Sequence, residues 1–98
     1  MGTERQQAME SINPATGEIL GRFPTFSAEQ VDRALDEAQR AYRSWREASF
    51  DERAGPLRRA AEYLRAQKSR LAGLITAEMG TPIGQAEAEI EKCAWNCD

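Results

Sequence analysis

The chain has 98 residues, room for one modest core but short of the ~100–200 residues usual for an enzyme domain. Its 13 basic and 16 acidic residues leave a net charge of −3, which excludes broad attraction to nucleic acid or to an anionic membrane. With two cysteines and no histidine, a histidine-based triad and a four-ligand Cys/His zinc site are excluded within the chain.

The hydrophobic fraction is 41% and rich in Ala rather than in Leu, Ile and Val, which predicts a thin helical core. No run approaches the ~18–20 apolar residues of a membrane span, and Met1 to Glu10 are too polar for a signal peptide. A cytoplasmic address is the resulting expectation.

Residues 1–10 are polar and aperiodic and read as a flexible terminus. Two short apolar runs, Ser11-Ile12 and Glu18 to Phe23, flank Asn13-Pro14-Ala15-Thr16-Gly17, where Pro14 pre-sets a turn and Gly17 supplies a positive φ. A β-hairpin follows from that pattern. Two strands alone are marginal in water, so the hairpin must lean on helices or on strands from elsewhere.

Ser27-Ala28-Glu29-Gln30 has the form of a capping box and predicts a helix over about residues 28–47. Val31, Leu35, Ala38, Tyr42 and Trp45 recur at spacings of three and four, one apolar face of that helix. Ser49-Phe50-Asp51-Glu52 starts a second helix with a stripe of Leu57, Ala61, Leu64, Leu71, Leu74 or Ile75, and Met79, stopped by Gly80. Gly55-Pro56 interrupts it and predicts a kink or a fresh start near Arg53 to Leu57. Thr81-Pro82 pairs a capping hydroxyl with proline at the first position of a third helix. Ile83, Ala86, Ile90, Cys93, Ala94 and Cys97 share its apolar face, and the helix is still running at Asp98, as in the opening piece of something longer.

No motif here carries catalysis. Alternate positions on a helix point about 200° apart, so Glu87, Glu89 and Glu91 cannot converge on one ion and read as a solvated acidic face rather than a metal cluster. Arg58, Arg59, Arg65, Lys68 and Arg70 read as partners for nearby acids, without the aromatic ladder of a nucleic-acid groove. Tyr42, Trp45, Phe50 and Tyr63 are expected in helix–helix contacts. Cys93 and Cys97, one helical turn apart, read as small buried hydrophobes, with a redox pair or half of a metal site as the functional alternatives. No glycine-rich phosphate loop occurs.

Read in order, Asn13 to Glu18, then Val31, Ala34, Ala38 and Trp45, then Ser49 to Arg53, then Glu78 to Pro82 and Ala86 to Glu89, resemble the N-terminus of the aldehyde dehydrogenase superfamily. Ser49 to Arg53 and Ala88 to Ala94 with Cys97 resemble its bacterial succinate-semialdehyde dehydrogenase branch most closely. Two positions depart from the pattern: Thr81 stands where members commonly have Lys, and Gly55-Pro56 replaces residues that continue a helix.

The resemblance implies a mainly α segment of the α/β aldehyde dehydrogenase fold, a hairpin and three amphipathic helices. Residues 11–98 would be an incomplete N-terminal part of the cofactor-binding domain. The parent would oxidise an aldehyde to an acid with NAD or NADP, with succinate semialdehyde as the candidate substrate. In the family the nucleophilic cysteine, the glutamate base and the dinucleotide-binding residues lie downstream of this segment, and neither Cys93 nor Cys97 has the nucleophile's sequence context. The resemblance therefore implies no catalytic and no cofactor-binding residue here, and no cofactor on this chain alone. Its partners would be the remainder of the parent subunit, itself a homo-oligomer, with no nucleic acid and no membrane. Many members also hold a monovalent cation, whose ligand positions map to Ser11, Ile12 and Glu78. The rival expectation is a free-standing helical module that holds a partner helix on an exposed stripe.

Overall fold

A computed structural model describes residues 7–98. Strands β1 (Ala8–Ile12) and β2 (Ile19–Pro24) form an antiparallel hairpin, followed by helices α1 (Ala28–Trp45), α2 (Phe50–Ala66), α3 (Lys68–Met79) and α4 (Ile83–Cys97). Ala8 to Glu10, expected in a flexible terminus, belong to β1, because pairing with Arg22 to Pro24 satisfies their backbone; residues 1–6 of that expectation lie outside the described residues. Glu10 and Arg22 face each other across the ladder, with Arg22 Nε 3.3 Å from Glu10 Oε1. The register shifts between Ser11 and Ile12, where the hairpin narrows into its turn.

That turn is tied by its own residues. Asn13 Oδ1 accepts from the amides of Ala15 and Thr16, the Asn13 carbonyl accepts from Gly17 at 2.8 Å, and Thr16 Oγ1 accepts from Glu18. Gly17 takes φ 77°, which its missing Cβ permits.

The capping box of α1 forms in full: Ser27 Oγ accepts from the Gln30 amide, and Gln30 Oε1 accepts from the Ser27 amide at 2.7 Å. Past Trp45 the chain tightens into bonds from Glu47 to the Ser44 carbonyl and from Ala48 to the Trp45 carbonyl, so α1 ends two residues earlier than its periodicity predicts. Ser49 caps α2 by accepting from the Glu52 amide.

The second helix breaks at a different place from the one expected. Pro56 lies inside α2, which runs through it without a break, so the Glu52 carbonyl simply lacks its usual helical donor. The break falls at Gln67 (φ −103°, ψ 15°), splitting the expected single helix into α2 and α3 and giving four helices rather than three. Arg70 brackets this junction, its Nε donating to Gln67 Oε1 at 2.9 Å and its Nη2 to Tyr63 Oη at 2.8 Å. The start of the last helix is also corrected by one position. Pro82, extended at ψ 142°, is itself the cap, and Thr81 makes no capping bond.

The core is a seam of small residues. Ala61, Ala72, Ala86 and Ala94 are fully buried and Ile90 nearly so, as α4 packs back across α2 and α3, with Leu64, Leu71 and Ile75 half-buried around them. Methyl-sized contacts let helices approach at the short end of the usual 8–10 Å range. The radius of gyration is 18.2 Å and the extents are 47 × 45 × 14 Å, against about 13 Å expected for a compact chain of this length. The molecule is a thin slab, not a ball.

Candidate functional site

The hairpin turn meets the end of α3 at Pro14 and Gly80, and the positions expected to ligate a cation, Ser11, Ile12 and Glu78, lie two or three residues from these in sequence. Gly80 ends α3 in the left-handed conformation at φ 71°, its amide donating to the Thr76 carbonyl at 2.9 Å. A Cβ placed on Gly80 would lie 3.2 Å from Pro14 Cγ, so this glycine is required both by its φ and by the turn seated against it. Ser11 and Ile12 lead into that turn, Ser11 half-buried and Ile12 exposed, and Glu78 lies two residues before Gly80 on an exposed stretch of α3.

Sequence removes one helical donor here. The carbonyl of Glu78 would accept from the amide of residue 82 if the helix continued, but Pro82 has no N–H. A carbonyl oxygen at the negative end of a helix is the hard-oxygen chemistry that suits a monovalent cation. Among the described residues, no group of three or more His, Cys, Asp or Glu is placed to hold a metal ion, so backbone oxygens would have to supply most of any such site.

The second feature is apolar. All of α1 is exposed, including Val31, Leu35, Tyr42 and Trp45 on its apolar face. Trp45, Phe50, Ala54, Pro56 and Leu57 line an open groove of about 510 Å³ between the end of α1 and the start of α2. The Arg53 guanidinium also lines the groove, 4.7 Å from the Phe50 ring centroid, while its buried Nε has no hydrogen-bond partner. The aromatic residues expected in helix–helix contacts are therefore about half exposed or more: Tyr42 53%, Trp45 48%, Phe50 84% and Tyr63 54%. Spacing identified the stripe, but nothing among the described residues covers it.

The charged residues pair as their spacing predicts in part. Arg65 Nε lies 3.5 Å from Glu91 Oε1, Arg65 Nη2 lies 2.7 Å from Asp98 Oδ2, and Lys68 Nζ reaches Glu91 Oε2 at 3.9 Å. The hydrogen bond to Asp98, then the charges of Asp98 and Glu91, hold the Arg65 guanidinium above its ordinary value. Glu87, Glu89 and Glu91 do not converge. Cys93 is exposed and Cys97 half-buried, both as free thiols, which corrects the expectation of two buried hydrophobes: α4 buries Ala86, Ile90 and Ala94, and Cys93 sits at the flank of that face.

Thr25-Phe26-Ser27, which contains no glycine, joins β2 to α1. No helix among the described residues is long and apolar enough to cross a membrane.

The aldehyde dehydrogenase family pattern matches residues 2–98, nearly the whole chain. The chain belongs to the aldehyde dehydrogenase family. It is 48% identical over 88 residues to the NAD(P)+ succinate semialdehyde dehydrogenase Sad of Escherichia coli (strain K12), covering 90% of this chain and 19% of that protein. It is 42% identical over 90 residues to a probable NADP(+) succinate-semialdehyde dehydrogenase of Synechocystis sp. (strain ATCC 27184 / PCC 6803 / Kazusa), covering 92% of this chain and 20% of the relative. The crystal structure of succinate-semialdehyde dehydrogenase from Burkholderia pseudomallei matches with a TM-score of 0.84 at 39% identity, covering 90% of this chain and 18% of that one. The hairpin and four helices are thus a fragment of the aldehyde dehydrogenase fold, and the chain spans about a fifth of the length of the relatives it matches.

Proposed function

We propose that this chain is the N-terminal structural segment of an NAD(P)-dependent aldehyde dehydrogenase that oxidises a semialdehyde, succinate semialdehyde foremost, to the acid. Uncovered apolar surface carries the reading. The accessible area is 8106 Å², against roughly 5,600 Å² for a folded monomer of this mass. The excess is the size of an extensive interface, and the face of α1 with the Trp45–Phe50–Leu57 groove is where the remainder of the subunit would seat. That remainder supplies the nucleophile and base and binds NAD or NADP, which accepts the hydride. The segment itself supplies framework, within a parent that assembles as a homo-oligomer. A monovalent cation bound by the carbonyls of Ile12 and Glu78 with Ser11 would tie the hairpin to the end of α3.

The test is a chimera in which this chain replaces the matched 88 residues of the Escherichia coli relative. NAD(P)+-linked oxidation of succinate semialdehyde by a folded chimera supports the proposal. A chimera that folds and assembles but oxidises no aldehyde overturns it, and favours the alternative of a free-standing helical module using the same α1 stripe.

A further inference from the structure

Cys93 and Cys97 are a turn apart on α4, and the geometry points to a chelating site for a soft, two-coordinate d10 cation, with Cu(I) as the matching ion. Side chains at this spacing share a helix flank with Cβ atoms roughly 5–6 Å apart. A disulfide needs Cβ atoms roughly 3.5–4.5 Å apart, so an intact helix holds these thiols too far apart to oxidise to one another. A linear thiolate–metal–thiolate unit, with bonds of about 2.3 Å on each side, spans roughly 4.6 Å between the sulfurs. The helix spacing suits the second arrangement.

Three observations support the site independently of spacing. Both thiols are free, and Cys93 is exposed and Cys97 half-buried, so neither is locked into the Ala61–Ala72–Ala86–Ile90–Ala94 seam. The last turn of α4, where helices usually fray, is held: the Asp98 amide donates to the carbonyls of Ala94 and Trp95, and the Asp98 carboxylate accepts from Arg65 at 2.7 Å. The spacing at Cys97 is thereby maintained. Finally, no third His, Cys, Asp or Glu joins the pair among the described residues, which removes the ligands that zinc or a harder cation demands and leaves a purely soft, digonal donor set.

Binding is an exchange of protons for metal. Two S–H bonds break, two S–Cu bonds form, two protons pass to solvent, and no electron moves. The inference concerns α4 alone and does not rest on the dehydrogenase reading.

The experiment is an anaerobic Cu(I) titration of the 98-residue chain against a chromophoric Cu(I) chelator, with sedimentation to fix the mass of the complex. One Cu(I) per monomer is expected, with helicity retained and the thermal midpoint raised, because the ion binds the helical state. Cys93→Ser, at an exposed position, should weaken binding about a hundredfold by removing one arm of the chelate. Cys93→Ser combined with Lys92→Cys keeps two thiols but moves one around the helix, and should be as weak as the single variant. Equal affinity in that respaced variant, or one Cu(I) bridging two chains, overturns the proposal.

Discussion

Arg65 Nη2 donates to Asp98 Oδ2 at 2.7 Å, joining the last turn of α2 to the residue that caps α4. Arg65 also reaches Glu91 at 3.5 Å, so one guanidinium spans a carboxylate of α4 and the carboxylate of its cap. Asp98→Asn should speed amide exchange of the last α4 turn by less than about fivefold, because exposed pairs contribute little. The effect should fade in 1 M salt, where the Debye length is about 3 Å. Hydrogen exchange at two ionic strengths checks both statements, and a salt-independent change would assign the effect to the cap alone.

Gly80 and Pro14 are coupled. Gly80→Ala should cost about 1–2 kcal/mol from its left-handed φ, plus an increment from the 3.2 Å approach of Pro14. In a Pro14→Ala background the increment should vanish and the backbone cost persist. Denaturant melts of the four proteins measure the coupling, and strict additivity would mean the turn and the helix end are energetically separate.

Among the described residues, Ile90 is the one large side chain that the seam buries, at 7% exposure. Ile90→Ala should destabilise by about 2–5 kcal/mol and release α4 from α2 and α3. In so thin a core that is enough to unfold the isolated chain, visible as lost far-ultraviolet ellipticity at 25 °C.

Pro56→Ala should act in the opposite direction. It returns a donor to the Glu52 carbonyl in the interior of α2, and the side chain it removes is exposed. A gain on the order of 1–3 kcal/mol in helix stability is expected, reduced by roughly 0.4–1 kcal/mol for the freer unfolded chain. Thermal melting checks the sign.

Leu35→Glu separates the two roles of α1. Leu35 is 64% exposed, so the isolated chain should keep its helicity and sediment with less self-association. Within the chimera the same charge would be buried against the remainder, and activity or assembly should fall sharply. Unchanged activity in the chimera would remove the α1 face from the proposed interface.

Local chemistry made much of the fold legible. The capping box at Ser27–Gln30, the stop at Gly80 and the turn at Asn13–Gly17 are each short-range devices whose residues specify their own geometry. The break at Gln67 was not legible, because it has no proline, glycine or cap; it shows only in the Arg70 bonds to Gln67 and Tyr63, which need the folded geometry. Proline marked neither helix boundary as expected, since α2 continues through Pro56 instead of restarting there and Pro82 caps rather than opens a helix. At the candidate cation corner, Ser11, Ile12 and Glu78 came from a family resemblance. The contact that brings the turn to the end of α3, Pro14 against Gly80, joins residues 66 positions apart, and no periodicity encodes it. The exposure of Cys93 was missed for a simpler reason: helical spacing identifies a face but not its edge.

The alanine seam has a consequence for the entropy of folding. Burying a long side chain such as Lys or Met surrenders up to about 2 kcal/mol of rotamer freedom, whereas Ala surrenders none. Ala61, Ala72, Ala86 and Ala94 therefore order the three packed helices without freezing a single χ angle of their own. A larger residue at any of them would have to push the helices apart before it gained any contact, so the seam fixes spacing through the absence of side-chain choice.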